Sequence, residues 1–352
     1  ESLQAMRPVS LIPLLFVSCT AHGQAWTFTG DTTATWEQAI ARYERLDAAH
    51  DGAQLLRIGT DDDGSPIHLF VITDGAPLDP AGIRAEGRNI LWITNAIHAG
   101  EPDGVDASLM LAQALLEDDH LMGLTARTVV CIVPMYNVSG ARQRERPSRP
   151  DQNGPIQHGI RANAKNYDLN RDFIKMDAEN TRGLVGALAD WDPDVYFETH
   201  VSDGADHRYV MELLMTQKDK LDPALSAFTT GVVVPGLYEW MDRKGQLMCP
   251  YFETVKDAPD DGLVEFHDAP RYSTGYNALF DRIGILAESH MLKPYADRVN
   301  ATFQLMLATL AVMDRHPDEL RTARTRAKEA TSSCASFGLN WRLDTTQVEE
   351  LL

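Results

Sequence analysis

Three short and almost unbroken apolar runs, Ile90–Thr94, Val129–Val133 and Ile283–Ala287, limit the fold more than any other feature of this chain. Such runs, with no polar alternation, describe strands buried on both faces. Two further strands are read at Ile67–Ile72 and Val195–Phe197, the first preceded by a turn at Asp61–Gly64. Helical patterns lie between them, from about Val105 to Leu116 and near Ala178–Ala189. A late helix carries Val299, Phe303, Met306, Leu310 and Met313 on one side. Thr35-Trp36-Glu37-Gln38 reads as a capping box, opening a helix with Trp36, Ile40, Tyr43 and Leu46 at helical spacing. Strands alternating with helices predict an α/β fold, a mixed, mainly parallel twisted sheet with helices on both faces. Such sheets bind ligands beyond the carboxyl ends of their strands.

Composition narrows the setting. The 352 residues are 44% hydrophobic and 24% charged, enough to bury a core. A formal net charge of −19 disfavours nucleic acid and anionic membrane as partners. Met6 and Arg7, an apolar run from Val9 to Val17 and small residues ending at Ala25 read as a signal peptide over residues 1–25. Residues 1–5 read as a non-native leader, and a secreted or periplasmic location is expected. Phe16-Val17-Ser18-Cys19 offers a lipid anchor at Cys19 as the variant reading. Neither this run nor any later one has the length of a transmembrane helix. Cys19, Cys131, Cys249 and Cys334 form no C-x-x-C pair, so neither a disulfide framework nor a thiolate zinc site is expected. Residues 26–316 read as one domain. Residues 317–352 read as a linker and, from Phe337, the first strand of a truncated region.

Four separated motifs carry chemistry. His98-Ala-Gly-Glu101 follows the strand Ile90–Thr94, and Tyr196-Phe-Glu-Thr-His200 ends another strand in a second His. Two imidazoles and one carboxylate, with a position left for water, are a catalytic zinc set. His207 competes as a ligand. In Asn166-Tyr-Asp-Leu-Asn-Arg-Asp-Phe173, Arg171 offers a planar fork of donors for a carboxylate, Asn170 an amide, and Asp168 an acceptor for a ligand His. Glu288 closes the apolar run Ile283–Ala287, where it reads either as a general base or as a structural partner of Lys293 or Arg282. The stretch from Asn137 to Lys165 reads as a long irregular loop, a class that is commonly functional.

In this order, H-x-x-E, D-x-N-R, a strand-end His and a late strand-end Glu resemble the M14 zinc metallocarboxypeptidases over roughly residues 60–315. The resemblance implies a carboxypeptidase A-like fold and one Zn²⁺ per chain, held by His98, Glu101 and His200. It implies Glu288 as general base, Asn170 and Arg171 gripping a free C-terminal carboxylate, and Asp168 as the partner of His98. An arginine stabilising the oxyanion is placed at Arg149, with Arg146 and Arg161 as competitors. A mobile tyrosine closing over a peptide substrate is placed at Tyr276, with Tyr272 as competitor. Two alternatives keep other uses of the same site, a zinc deacylase of N-acyl amino acids and an inactive peptide-binding module.

Overall fold

The computed structural model describes residues 28–75, 77–144, 148–338 and 346. The expected signal peptide, Cys19, Arg146 and most of the strand expected from Phe337 lie outside them. Among the described residues ten strands form: β1 (Ala53–Thr60), β2 (Pro66–Ile72), β3 (Asn89–Thr94), β4 (Thr128–Val133), β5 (Val195–Ser202), β6 (Met211–Met215), β7 (Met248–Pro250), β8 (Glu253–Thr254), β9 (Leu263–Val264) and β10 (Ile283–His290). Eight make one sheet in the order β1-β2-β4-β3-β5-β10-β6-β7, while β8 and β9 pair separately. Strands β4, β3, β5 and β10 run parallel at its centre, and β2 and β6 join that block antiparallel. The mixed, mainly parallel sheet expected from the apolar runs is therefore present.

Helices cover both faces. Leu91 and Ile93 of β3 point into a core shared with the helices Trp36–Ala49, Asp103–Glu117 and Tyr295–Arg315. Their neighbours Ile90 and Trp92 point into a second core with Leu184, Leu188 and Trp191 of the helix Glu179–Trp191. The capping box forms: Gln38 N–H donates to Thr35 Oγ1 at 3.2 Å, and Thr35 N–H to Gln38 Oε1 at 3.0 Å. Gly104 lets the helix Asp103–Glu117 start hard against β5, because a Cβ there would lie 2.0 Å from Thr199 Oγ1. That contact fixes the chain immediately after Glu101.

Two readings need correction. The expected strand Val195–Phe197 runs on through His200 to Ser202, and all eight residues are buried. Polar residues broke the apolar pattern there without breaking the ladder. Residues 317–333, expected as a linker, form the helix Pro317–Ser333. Its Ala, Arg, Lys and Glu residues are strong helix formers, and Leu320, Ala323 and Ala327 are buried beneath the charged face. Arg324, also buried, pairs with Asp192 and Asp194 at 2.5 and 2.8 Å. Among the described residues no helix is long and apolar enough to cross a membrane.

Candidate metal centre and active-site cleft

Register brings the four motifs together. Glu288 of β10 is aligned with His200 of parallel β5, and β3 pairs with the other edge of β5. The turn that follows β3, closed by Glu101 N–H donating to the His98 carbonyl at 3.0 Å, delivers His98 and Glu101 to the same end of the sheet. On alternating strands i and i+2 share a face. Leu286 and Glu288 of β10 therefore share one face with Tyr196, Glu198 and His200 of β5.

The two histidines converge on one carboxylate. His98 Nδ1 lies 3.2 Å from Glu101 Oε1, and His200 Nδ1 lies 2.9 Å from Glu101 Oε2. The ring centroids are 4.9 Å apart, and all three side chains are buried. One donor atom from each falls within 4.8 Å of the others. The outer nitrogens turn away from this point. His98 Nε2 meets Asp168 Oδ1 at 3.0 Å, and His200 Nε2 meets Glu198 Oε2 at 3.3 Å. A ring donating its outer N–H to a carboxylate presents the inner lone pair, which is the tautomer that ligates metals. Two imidazoles with one carboxylate suit zinc with an open position, so the donor set fits the ion that the resemblance implies.

Electrostatics follow from burial and from this crowding. Burial opposes ionisation of Glu101, but His98, His200 and Arg149 together hold its carboxyl well below the usual range. Burial likewise disfavours charge on His200, yet Glu198 and Glu101 carry it well above an ordinary imidazole. Glu288 is pushed up to about 8 by burial, with Glu101 and Glu212 adding repulsion against the pull of His200 and Arg149. Neither proposed structural partner reaches Glu288: Lys293 pairs with Asp206 at 2.8 Å and Arg282 with Asp192 at 3.3 Å.

The remaining predicted residues fall around a cleft of about 270 Å³ lined by His98, Glu101, Arg149, Arg161, Asn170, Arg171, His200, Tyr272 and Glu288 among others. Asp168 caps the turn Leu169–Arg171, its Oδ1 accepting from Asn170 N–H at 3.0 Å while bound to His98. That turn aims Arg171 into the cleft, its guanidinium stacked 4.5 Å from the centre of the Tyr272 ring. The Asn170 amide is held by Ser273 N–H at 3.1 Å and faces His200 Nε2 at 3.2 Å. Arg149 donates to Glu101 Oε1 at 2.7 Å and to the Val201 carbonyl at 2.8 Å. Arg161 clasps Asp168 Oδ2 at 2.9 Å and approaches His98 Nδ1 at 3.2 Å. Both arginines therefore border the ligand set.

Tyr276 is placed elsewhere. Its ring is buried against Phe173 and Phe280, at 5.5 and 5.1 Å between centroids, and it is not part of the cleft wall. Tyr272, the competitor, is part of that wall. His207 does not join the first ligand set but meets Glu212 and His290. Glu198 was missed in the sequence, although its position two residues before His200 on one strand face was the available signal. Leu214, Leu286, Tyr251 and Phe266 were also missed; they give the cleft an apolar wall, Leu286 from within a run read only as a strand, Leu214 from the short strand β6, and Tyr251 and Phe266 from segments outside the strands that carry no motif.

Residues 40–257 match the peptidase M14 family, described as zinc carboxypeptidase. No curated protein matches the chain in sequence. Among solved structures, a metallo-carboxypeptidase from Burkholderia cenocepacia is 17% identical with a TM-score of 0.57, over 80% of this chain and 69% of its own. A metallo-carboxypeptidase from Pseudomonas aeruginosa, in complex with (2-guanidinoethylmercapto)succinic acid, is 16% identical with a TM-score of 0.58, over 82% and 70%. The carboxypeptidase A from Helicoverpa armigera is 13% identical with a TM-score of 0.57, over 90% and 78%. At these identities the structures share the fold. With the family matched across more than half of its length, this chain belongs to the M14 zinc carboxypeptidases.

Proposed function

We propose that this peptidase removes the C-terminal residue of peptides. One observation supports the reading above others: Arg171, a carboxylate-binding fork, lines the same cleft as Glu288 and the His98–Glu101–His200 set. His98, Glu101 and His200 would hold the zinc ion, which when bound would supply Lewis-acid chemistry for cleavage of the peptide bond.

The protein groups divide the remaining work. Arg171 binds the terminal carboxylate, with Asn170 setting the turn that presents it, so the last peptide bond is brought to the ligand set. Glu288 accepts a proton from the attacking water and returns it to the leaving amine nitrogen. Burial and the facing carboxylates raise its affinity for that proton. Arg149 donates toward the carbonyl oxygen as charge develops there. Tyr272, stacked on Arg171, closes the side of the cleft over the terminal residue.

The test is incubation with a mixed peptide pool, with and without chelator, beside Glu288→Gln, read by mass spectrometry. Chelator-sensitive loss of single C-terminal residues, at least about 10²-fold slower in the variant, is expected. Turnover confined to N-acyl amino acids would replace peptides with those substrates. Peptide binding without any cleavage would make the chain a binding module.

A further inference from the structure

A second set of imidazole and carboxylate donors lies beside the cleft. Glu212 of β6 stands directly opposite Glu288 in the antiparallel β10–β6 pair. His290 lies two residues farther along β10, and His207 reaches in from the segment between β5 and β6. One donor atom from each of the three lies within 4.8 Å of the others. Glu212 and His290 are buried and His207 is half-buried.

One contact repeats that of the first centre. His207 Nε2 faces Glu212 Oε1 at 2.9 Å, as His200 Nδ1 faces Glu101 Oε2 at 2.9 Å. The two imidazole rings of the second set are 4.3 Å apart at 73°. Two of the three groups are also held by neighbours. Ser202 Oγ donates to Glu212 Oε1 at 2.7 Å, and His290 Nε2 donates to the Ala205 carbonyl at 2.9 Å. That bond leaves His290 Nδ1 as the lone pair, which here accepts from Leu292 N–H at 3.3 Å, a bond that metal ligation would replace. His207 Nδ1 is buried with no hydrogen-bond partner among the described residues, so the contact with Glu212 is the one polar bond that orients this ring there. Lys293, whose charge opposes a cation here, is engaged by Asp206 at 2.8 Å and by the His207 carbonyl.

From this geometry we propose that His207, Glu212 and His290 form a second divalent-cation site, separate from the peptidase centre. Two imidazoles and one carboxylate select zinc-class ions over calcium or magnesium, which take oxygen donors. An ion there would also offset one of the two carboxylates, Glu212 and Glu288, that face each other across the strand pair.

The test is metal stoichiometry. The whole chain is stripped with chelator, dialysed against buffered zinc and analysed for bound metal, with circular dichroism confirming each variant's fold. The wild type is expected to bind two equivalents. His207→Ala and His290→Ala are each expected to bind one, and His98→Ala to bind one at the second site. His207→Gln, a milder change at a half-buried position, guards against a variant lost to misfolding. Cobalt added to His98→Ala should give visible absorption bands that disappear when His207→Gln is added. One equivalent in the wild type that His207→Ala and His290→Ala both retain, or two retained in both, would overturn the proposal. Failure of the first centre is read separately, as no loss of metal on His98→Ala.

Discussion

Glu198 stands behind His200 on the same face of β5, its Oε2 3.3 Å from His200 Nε2 while His200 Nδ1 faces Glu101. Asp168 holds the same position behind His98, at 3.0 Å. Each histidine of the candidate ligand set is thus backed by a carboxylate. Asn170 Nδ2, the other group near His200 Nε2, is itself a donor and cannot accept the ring proton. Glu198 is fully buried and also accepts from Ser273 Oγ, so its orientation is fixed.

Such partners orient the ring and raise its basicity, and losing one costs roughly 10–100-fold in metal affinity. Glu198→Gln and Asp168→Asn keep the shapes of the side chains while removing the charge. Both are expected to weaken zinc binding by about that factor, read by competition with a chromophoric chelator. Unchanged affinity in Glu198→Gln would mean that the carboxylate serves only Ser273 and the core.

The two tyrosines of the segment 272–276 should separate cleanly. Tyr276 is 6% exposed and packs between Phe173 and Phe280. Tyr276→Ala therefore leaves a cavity and should cost about 3–5 kcal/mol of stability, the range for large aromatic truncations. Tyr272 lines the cleft under Arg171. Tyr272→Ala should lower kcat/KM while shifting the unfolding midpoint little. Thermal melts and peptide kinetics on the two variants decide the matter; the reverse pattern would return the substrate-facing role to Tyr276.

The contrast shows what the sequence could and could not disclose. The central strands were legible because double burial makes them continuous apolar runs, and His98, His200 and Glu288 were legible because each sits at the end of one. Strand β1 escaped because it lies at the sheet edge with every residue after Ala53 partly or fully exposed, and β6 and β7 because they are short. Tyr272 and Tyr276 differ by four residues in a stretch with no periodic signal. Only the helix Ser273–Ala278 decides which ring turns inward. Arg149 and Arg161 were hard to rank for a related reason. The stretch from Asn137 to Lys165, expected as irregular throughout, opens with the helix Val138–Arg142, and beyond it the described residues are held by single bonds such as Ser148 Oγ to the Gly159 carbonyl, at 2.9 Å.

Arg171 tests the carboxylate grip. Its guanidinium is anchored by the Asn170 carbonyl at 2.8 Å and by stacking on Tyr272, and it is 41% exposed in the cleft. Arg171→Lys keeps the charge but loses the planar fork and the stack. A charge-assisted bond of about 1.5–3 kcal/mol corresponds to roughly 10–150-fold, expected mainly in KM, with zinc content unchanged. Peptides with amidated C-termini should be insensitive to the substitution. Equal losses on free and amidated peptides would argue against a carboxylate contact.

A pH-dependent element of stability lies away from the metal. Asp106, in the helix Asp103–Glu117, is fully buried and accepts from Tyr295 Oη, Ala34 N–H and Thr33 Oγ1. Burial nevertheless outweighs these donors and, with Asp103 adding repulsion, pushes its carboxyl up from 3.8 to about 7. Between those values the unfolded chain releases the proton and the folded chain keeps it. The folded state then binds more protons, so stability falls as pH rises from about 4 to about 7 and is level above that. At about 1.4 kcal/mol per unit, the whole effect is on the order of 4 kcal/mol. Asp106→Asn cannot ionise, and its amide can donate to Tyr295 Oη. The variant should therefore gain on the wild type progressively across this window. Urea denaturation at several pH values, in chelator so that zinc release does not enter, measures the difference. Parallel stability curves for the two proteins would show that Asp106 ionises as readily in the folded chain as in the unfolded one.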